Sequence, residues 1–203
     1  MRFLIVSGPT REPIDPVRYL SNYSTGTMGK HLNDAAKKRG HRVDWVRCPE
    51  NAETARDLLK ELKRRLPKND VLIMAAAVCD RRPASFSAQK IKKDELSTLR
   101  LVKNPDILHE LSKIKKKKQI FIGFALESRN ILKNGFEKLS RKGLELIVVQ
   151  KVMRNHTPFG DKPIEAYVVD ACGCVEHLRK VSKKALAMLL VWAGESLSRQ
   201  QIA

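Results

Sequence analysis

The sequence predicts an α/β protein: a doubly wound, mostly parallel, Rossmann-like sheet with an antiparallel hairpin near the C-terminus. Three observations support this fold class and its arrangement in one domain. Short apolar runs alternate with amphipathic helical periods, which is typical of parallel strands joined by crossover helices. No repeat, linker or low-complexity stretch divides the 203 residues. At roughly 150 residues per domain, we therefore expect one domain over residues 1–203.

The first half of the chain contains three strand-like runs and two helical periods. The run at 71–78 is apolar throughout, as a strand buried on both faces should be. Apolar residues at 55–66 recur at helical spacing and stop before Pro67. In chain order, the predicted elements are a strand at 3–7, a helix from about 29 to 39 ended by Gly40, a strand at 41–47, a helix at 55–66 and a strand at 71–78.

The second half begins with a polar stretch at 80–98, which we expect to be a loop. Asn104 followed by Pro105 predicts a helix start, with an N-cap and Pro at the first helical position. Ser182 is the predicted cap of the last helix. The remaining predicted elements are strands at 99–102, 120–124 and 146–149, a helix at 131–141 closed by Gly143, a hairpin of 166–169 and 175–178 around Gly173, and a helix ending near 198.

Composition narrows the classes of partner. Forty Lys and Arg against 22 Asp and Glu leave a net charge of +18, which favours nucleic acid or small phosphorylated molecules. Aromatic residues make up only 5%, fewer than a stacking platform for single strands needs. No apolar run is long enough to span a bilayer, and the apolar start is too short for a signal peptide, so we expect a cytoplasmic protein without a membrane partner.

The four cysteines do not have the spacing of a zinc site. Cys172 and Cys174 form a close pair around Gly173, but no second pair follows at finger spacing. Cys48 and Cys79 are isolated in the sequence. We therefore predict reduced thiols and no metal site held by the protein alone.

Ligands of doubly wound sheets bind beyond the carboxyl ends of the strands, so the loops after Ser7, Val78 and Phe124 are the candidate site. The first of these loops ends at Gly26 and Gly29, at the start of a helix. Glycines there let a phosphate approach the N–H groups of the helix N-terminus. The alternative is a serine-capped helix whose glycines serve close packing.

The same loop carries a charged cluster stiffened by two prolines. Arg18 has the fork geometry that binds a carboxylate or phosphate, and Asn22 offers an uncharged donor and acceptor. The alternative is a set of surface salt bridges between Arg11 or Arg18 and the acids Glu12 and Asp15.

Two further loops carry candidate residues. The small side chains of 75–77 leave room for a ligand on the backbone, and Asp80 follows at the strand end. Lys90, in the basic segment 90–93, is predicted to close onto developing phosphate charge. The alternative for that segment is a solvated charge cluster.

The segment at 8–26, which reads GPTREPIDPVRYLSNYSTG, closely resembles the signature of the phosphopantothenate–cysteine ligases, also called phosphopantothenoylcysteine synthetases. The resemblance continues through AAAVCD at 75–80, KIKK at 90–93, NPDI at 104–107 and IGF at 122–124. It covers nearly the whole chain, and the five motifs occur in the same order as in the family.

The resemblance implies an activity in coenzyme A biosynthesis. A nucleoside triphosphate with Mg²⁺ would convert the carboxylate of 4′-phosphopantothenate into an acyl-nucleotide and release pyrophosphate. L-cysteine would then displace the nucleoside monophosphate. The motifs look bacterial, which favours CTP over ATP. We also expect a homodimer whose neighbouring subunit completes the site, and no FMN, because the chain starts directly at the first strand of the ligase.

The resemblance also implies roles for residues that match the family motifs. Catalysis would involve Asn22, Lys90 and Arg18. The substrate would contact Asn22, Ala76, Ala77 and Asp80. The nucleotide would contact Gly8, Ser24, Gly26, Gly29, Asp80, Lys90, Asn104, Pro105, Asp106, Ile107, Phe124, Lys138 and Lys142.

Three positions depart from the family pattern. Pro9 replaces a second glycine and lacks its N–H, Gln150 stands where Asn is usual, and the loop at 93–99 is short. Two other function classes remain open. A basic nucleic-acid-binding protein would explain the charge, although we expect no specific nucleic acid. A dinucleotide oxidoreductase is argued against by the missing G-x-G-x-x-G and ribose-binding acid.

Overall fold

A computed structural model describes residues 1–152 and 158–201 of the chain. It contains strands and helices in the alternation that the sequence predicts. The strands are β1 (Arg2–Pro9), β2 (Arg11–Asp15), β3 (Arg18–Ser21), β4 (Arg42–Arg47), β5 (Val71–Ala77), β6 (Arg81–Pro83), β7 (Leu101–Lys103), β8 (Ile120–Glu127), β9 (Leu146–Lys151), β10 (Ile164–Asp170) and β11 (Val175–Val181). The helices are α1 (Thr27–Lys38), α2 (Ala55–Arg65), α3 (Ile107–Ser112), α4 (Ile131–Arg141) and α5 (Lys183–Gln200).

Seven of the strands form one sheet in the order β11-β10-β9-β8-β5-β1-β4. The five strands from β9 to β4 in that order run parallel, and β10 and β11 are antiparallel. From β1 the chain first moves outward to β4 and then returns to the other side of β1 to form β5. This reversal between β1 and β5 is the switch point of a doubly wound sheet, so the predicted fold class is confirmed.

Successive side chains of a strand point to opposite faces of the sheet, and in the parallel strands both sets are apolar. Helices therefore pack against both faces. Leu4 and Val6 of β1 pack in a core with α2, α3 and α4. Phe3 and Ile5 of the same strand pack in a second core with α1 and α5. All four side chains are fully buried, so β1 contributes to the core on both faces of the sheet.

Local sequence signals locate several elements well. Helix α4 has the predicted bounds, and Gly143 after it adopts the left-handed φ of +60° that ends a helix. Ser182 caps α5 as predicted, since its hydroxyl oxygen accepts a hydrogen bond from the Ala185 N–H at 3.1 Å. Among the described residues, every helix is too short or too polar to cross a membrane.

Two antiparallel ribbons differ from the predicted loops. β2 pairs with β3 inside the expected loop after the first strand, and β6 pairs with β7 across the polar stretch. The strand expected at 99–102 is therefore β7, two residues later. These ribbons lie at the carboxyl edge of the sheet, and their charged and proline-containing sequences hide the alternation by which a strand is normally predicted.

Helix α3 begins later than predicted. Its N-cap is Asp106, whose side chain accepts a hydrogen bond from the His109 N–H, and not Asn104. The Asn104 amide instead donates to the Cys79 carbonyl at 2.8 Å, and its own N–H donates to the Asp80 carbonyl. Because Asn104 fastens this segment to the end of β5, helix formation starts only after Asp106.

Candidate functional site

A cavity of about 400 Å³ lies at the carboxyl ends of β5, β8 and β9, beside the start of α1. The carboxyl ends of the strands are where doubly wound proteins bind ligands. Four stretches of chain and several single side chains form its walls. The stretches are 24–28, 74–80, 104–108 and 124–126, and the others include Asn22, Lys138, Lys142, Gln150, Pro158, Phe159 and Lys183.

The N-terminus of α1 forms one wall of the cavity, through Gly26, Thr27 and Met28. Gly26 has a left-handed φ of +72°, and no side chain of the described residues caps the first turn. The first turn also contains no acidic residue. Its N–H groups and the positive end of the helix dipole are therefore available to an anion in the cavity.

The predicted glycines differ in what they contact. Gly26 lines the cavity, and a methyl group on it would lie 3.6 Å from the Gly8 backbone. Gly8 and Gly29 are outside the cavity lining. A Cβ on Gly8 would come within 2.1 Å of the Cys48 carbonyl oxygen, and one on Gly29 within 2.0 Å of the Ser7 Cβ. Close packing thus explains the absence of a side chain at both, while their contact with phosphate stays a prediction.

The end of β5 forms the floor of the cavity. Ala76 and Ala77 line it with small side chains, as predicted, and Asp80 lies at its exposed edge. The Asn22 amide donates to the Ala77 carbonyl at 3.1 Å, which leaves its carbonyl oxygen as an acceptor at the cavity. Cys79 also lines the floor, and burial raises the pKa of its thiol, so the thiol is neutral.

Helix α4 supplies the predicted lysine pair. The ammonium group of Lys138 binds the Glu127 carboxylate, and that of Lys142 lies 3.4 Å from the Asp106 carboxylate. Burial raises the pKa of Glu127, but hydrogen bonds from Lys138 and Asn134 outweigh it and hold the pKa below its usual range. Both lysines are half-buried at the cavity and held in place by acids.

The predicted base and ribose contacts also meet at the cavity. Asn104, Pro105, Asp106 and Ile107 line it from the segment that leads into α3, and Phe124 lines it from β8. The half-buried ring of Phe124 offers an apolar surface next to polar groups. This combination suits a nucleoside, which has an apolar face and polar edges.

Arg18 and Lys90 are not part of the cavity lining. The guanidinium group of Arg18 binds the Asp15 carboxylate and donates to the Ile91 carbonyl at 2.8 Å. Lys90 is exposed on the neighbouring segment. The expected surface salt bridge of Arg18 is therefore present, but its acid partner is fully buried. The catalytic roles of Arg18 and Lys90 stay predictions.

Comparisons with known proteins show the family of the chain. Residues 1–195 match the model of the family described as "DNA/pantothenate metabolism flavoprotein C-terminal domain". The chain belongs to this family. The resemblance inferred from the motifs is thereby confirmed, because the family model spans nearly the whole chain.

Two curated relatives and one solved structure show how far the similarity extends. A cysteine/cysteine sulfinic acid decarboxylase from an unknown prokaryotic organism is 34% identical, over 92% of this chain and 55% of its own length. The coenzyme A biosynthesis bifunctional protein CoaBC of Borreliella burgdorferi is 35% identical, over 92% of this chain and 50% of its own length. The chain therefore spans about half the length of these relatives.

The solved structure is the C-terminal domain of a coenzyme A biosynthesis bifunctional protein CoaBC. It superposes with a TM-score of 0.80 at 28% identity, and the match covers 98% of this chain and 96% of that chain. The similarity in fold thus extends over nearly the whole chain.

Lys183 is a cavity residue that the sequence did not identify as part of the family site. It is buried at the start of α5, and its ammonium group donates to the carbonyls of Pro158 and Gly160, the former at 2.7 Å. Burial lowers the pKa of Lys183 despite the nearby Asp161 carboxylate. Folding brings Lys183 to the cavity from 56 residues beyond the end of β8 at Glu127, so no local motif could have indicated it.

Gln150, which stands where the resemblance implies an Asn in polar contact with the nucleotide, is also a wall residue. It lies on β9, is 7% exposed, and lines the cavity. No described residue forms a hydrogen bond with its side-chain amide. The amide can therefore offer a donor and an acceptor to a ligand.

The cavity also bears on the expected Mg²⁺. Among the described residues, no three His, Cys, Asp or Glu side chains come together as a metal cage. The carboxylates of Asp80 and Asp106 line the cavity, and Asp106 is already engaged as a helix cap and by Lys142. These residues fit an ion that arrives with phosphate oxygens as most of its ligands and takes Asp80 as a protein ligand.

Proposed function

We propose that this chain joins 4′-phosphopantothenate to L-cysteine in coenzyme A biosynthesis, using CTP, or else ATP, and releasing pyrophosphate and nucleoside monophosphate. The observation that carries the proposal is the uncapped N-terminus of α1 at the cavity, which the lysines of α4 also line. Positive groups on two walls suit a triphosphate. Membership of the family supports the same reaction, and so does the similarity of this chain to the C-terminal domain of a CoaBC protein over 96% of that domain.

The first step would join carboxylate and nucleotide. A carboxylate oxygen of phosphopantothenate attacks the α-phosphorus, and the bond from that phosphorus to the bridging oxygen breaks, so that pyrophosphate leaves. The chain would contribute position and charge: Asn22 and the backbone of Ala76 and Ala77 hold the acid, and Lys138 and Lys142 hold the phosphates. Mg²⁺ bound to the triphosphate supplies further positive charge when present.

The second step would form the amide. The cysteine amine attacks the acyl carbon, loses a proton, and expels the nucleoside monophosphate as the leaving group. The Asn22 side-chain oxygen takes no part in the Ala77 contact, so it is available to accept a hydrogen bond from an N–H or O–H group of either substrate. No flavin takes part in either step, so we expect activity without added FMN.

Nucleotide choice would depend on the segment before α3. We propose that Asn104, Pro105, Asp106 and Ile107 frame the base and ribose, with Phe124 against the base. CTP is the favoured nucleotide because the motifs look bacterial. Parallel assays with CTP and ATP at equal concentration test this choice directly.

We further propose that the active form is a cytoplasmic homodimer. Several large apolar side chains are exposed on or beside the two ribbons. They are Val17, Tyr19, Tyr23, Phe86 and Leu101, with exposures of 61%, 49%, 88%, 58% and 37%. A cluster of this kind indicates a protein interface. Sedimentation of the wild type and of a Tyr19→Ser, Phe86→Ser variant would test it, and a monomeric wild type would contradict it.

The decisive experiment mixes the protein with phosphopantothenate, Mg²⁺ and CTP or ATP, and measures pyrophosphate. We expect release only when phosphopantothenate is present, and the amide product by mass spectrometry after cysteine is added. Pyrophosphate release without phosphopantothenate, or no release with either nucleotide, would contradict the proposed function.

A second candidate function is binding of nucleic acid, favoured by the net charge of +18. A binder of that kind loses affinity steeply with salt for any sequence, because it releases counterions. Tight binding of duplex DNA at physiological salt, together with no pyrophosphate release, would favour this function over the ligase. We expect the opposite pair of results.

A further inference from the structure

The segment that carries Lys90 lies between β6 and β7, and most of its residues are exposed. Its regular structure is a single 3-10 turn at Lys93–Glu95. Three backbone groups of the segment bind the β2–β3 ribbon. The Ser87 N–H donates to the Ile14 carbonyl, the Ile91 N–H donates to the Asp15 carboxylate, and the Ile91 carbonyl accepts from Arg18.

Asp15 is at the centre of these contacts. Its side chain has no exposed surface, and its carboxylate accepts hydrogen bonds from two directions. One oxygen, Oδ1, accepts from the N–H groups of Val17 and Arg18 at 3.0 and 2.9 Å and so fixes the turn between β2 and β3. The other, Oδ2, accepts from the Arg18 guanidinium group and, at 3.2 Å, from the Ile91 N–H.

The carboxylate is ionised at neutral pH. The hydrogen bond from Arg18 holds the pKa of Asp15 far below its usual range, although burial acts in the opposite direction. Through these hydrogen bonds, the buried carboxylate holds the Arg18 guanidinium group and the Ile91 backbone together. Ile91 directly follows Lys90, so one carboxylate fixes Arg18 directly and Lys90 through the neighbouring peptide.

We infer that Asp15 is a positioning residue, which holds Arg18 and the Lys90 segment in one geometry for the reaction; this inference rests on the proposed function. The Asp15 side chain has no exposed surface, so it does not contact the substrate itself. Its effect on the reaction is through the two cations. Misplacing a cation that stabilises the transition state lowers kcat far more than it raises KM.

The test compares Asp15→Asn with Asp44→Asn. The first change replaces one of the two acceptor oxygens by an NH2 donor, so either the turn N–H groups of Val17 and Arg18 or the Arg18 guanidinium group and the Ile91 N–H lose their acceptor. The second is a matched control, since Asp44 also binds an arginine, Arg65, but lies on β4, away from the segment. Asp15→Glu keeps the charge and should recover part of the loss caused by Asp15→Asn.

Two readouts are measured on the intact protein. The first is the rate of tryptic cleavage after Lys90, Lys92 and Lys93 under native conditions, which reports release of the segment without requiring activity. The second is kcat and KM for pyrophosphate release. For Asp15→Asn we expect cleavage at least 10-fold faster and kcat at least 10-fold lower, with KM within about threefold. For Asp44→Asn we expect both readouts within twofold of wild type.

Unchanged cleavage in Asp15→Asn would overturn the inference, and so would faster cleavage with unchanged kcat, because docking would then have no bearing on the reaction. If Asp15→Asn does not fold, Arg18→Lys, which cannot bind both Asp15 and Ile91 in the same way, replaces it in the cleavage assay. Wild-type protein without ligase activity would be a failure of the proposed function, and the cleavage rates would still show whether Asp15 holds the segment.

Discussion

Helices α1 and α2 each follow a parallel strand of the same sheet, yet their N-termini are treated in opposite ways. At α2, the Thr54 hydroxyl oxygen accepts from the Asp57 N–H, the Asp57 carboxylate accepts from the Thr54 N–H, and the buried Glu12 carboxylate accepts from the Ala55 N–H. At α1, Gly26 is the N-cap and no described side chain caps the first turn. The protein supplies its own anions to α2 and none to α1.

The difference separates a structural helix terminus from a ligand-binding one. Unpaired N–H groups at a helix start must be satisfied by side chains, water or a ligand. The α2 terminus is satisfied within the protein, whereas the α1 terminus opens onto a cavity that two lysines of α4 also line. Anions from a bound nucleotide would complete α1 in the way that Glu12 and Asp57 complete α2. The following predictions test this comparison.

The largest expected effect comes from giving α1 a resident anion. Gly26→Asp places a carboxylate at the N-cap, where the left-handed backbone tolerates Asp, and makes α1 resemble α2. The carboxylate should compete with phosphate for the N–H groups. We expect kcat/KM for pyrophosphate release to fall about 100-fold, as for the loss of one strong oxyanion contact.

Gly26→Asn is the matched control for the charge. It has the same shape and also tolerates a left-handed backbone, so it should lose at least 10-fold less activity than Gly26→Asp. Equal losses in the two variants would mean that the shape of the new side chain, and not its charge, lowers the activity. The role of the α1 terminus as an anion site would then be contradicted.

Lys90→Gln should give the next largest effect, and it distinguishes a ligand-facing cation from a structural one. We expect kcat to fall 10- to 100-fold, because the removed charge would act on the reacting phosphate. The melting temperature should change by less than about 2 °C, since an exposed lysine contributes little to stability. Lys118→Gln, also at an exposed lysine, is the control. Parallel losses of activity and melting temperature would contradict the catalytic role.

The sequence predicted the helices that pack on the sheet better than the ribbons at its carboxyl edge. The bounds of α4, its Gly143 terminator and the Ser182 cap of α5 follow from local spacing and capping residues. Of the ribbon strands, only β7 was predicted, because strands this short depend on contacts with distant residues, such as that of Ser87 with Ile14.

The same distinction holds within the site. Motifs placed Asn22, the alanine floor and the α4 lysines at one cavity, and the structure brings them together. A glycine in a motif, however, does not reveal which neighbour excludes its side chain: Gly26 faces the cavity, while Gly29 packs on Ser7. Lys183 reaches the cavity only through the position of α5 in the fold, so no local signal marks it.

The third prediction concerns the C-terminal end of α1, where an acid of α5 binds the two basic side chains that follow the helix. The Glu195 carboxylate of α5 accepts from Arg39 at 2.5 and 2.6 Å and binds His41 at 2.6 Å. The hydrogen bond from Arg39, against the effect of burial, lowers the pKa of Glu195 from 4.5 to about 2. This carboxylate should therefore stabilise the protein fully above about pH 4.5 and progressively less as the pH falls toward 2.

Glu195→Gln tests that contribution. We expect a loss of about 2 kcal/mol in the free energy of unfolding at pH 7, a value reduced for the partial exposure of Arg39. The difference between variant and wild type should shrink as the pH falls from 4.5 toward 2. Urea unfolding across this range measures it, and a difference that does not depend on pH would contradict the ion pair as its source.

The smallest effect is expected at the α2 terminus, and it should affect stability alone. Thr54→Ala removes the acceptor for the Asp57 N–H and should lower the free energy of unfolding by about 1 kcal/mol. Because this terminus has no ligand, kcat and KM should stay within twofold of wild type at a temperature where both proteins are folded. Thr54→Ser retains the hydroxyl and should restore most of the stability. A loss of activity in Thr54→Ala at unchanged stability would mean that α2 also contributes to the reaction, and the contrast between the two helix termini would no longer separate structure from binding.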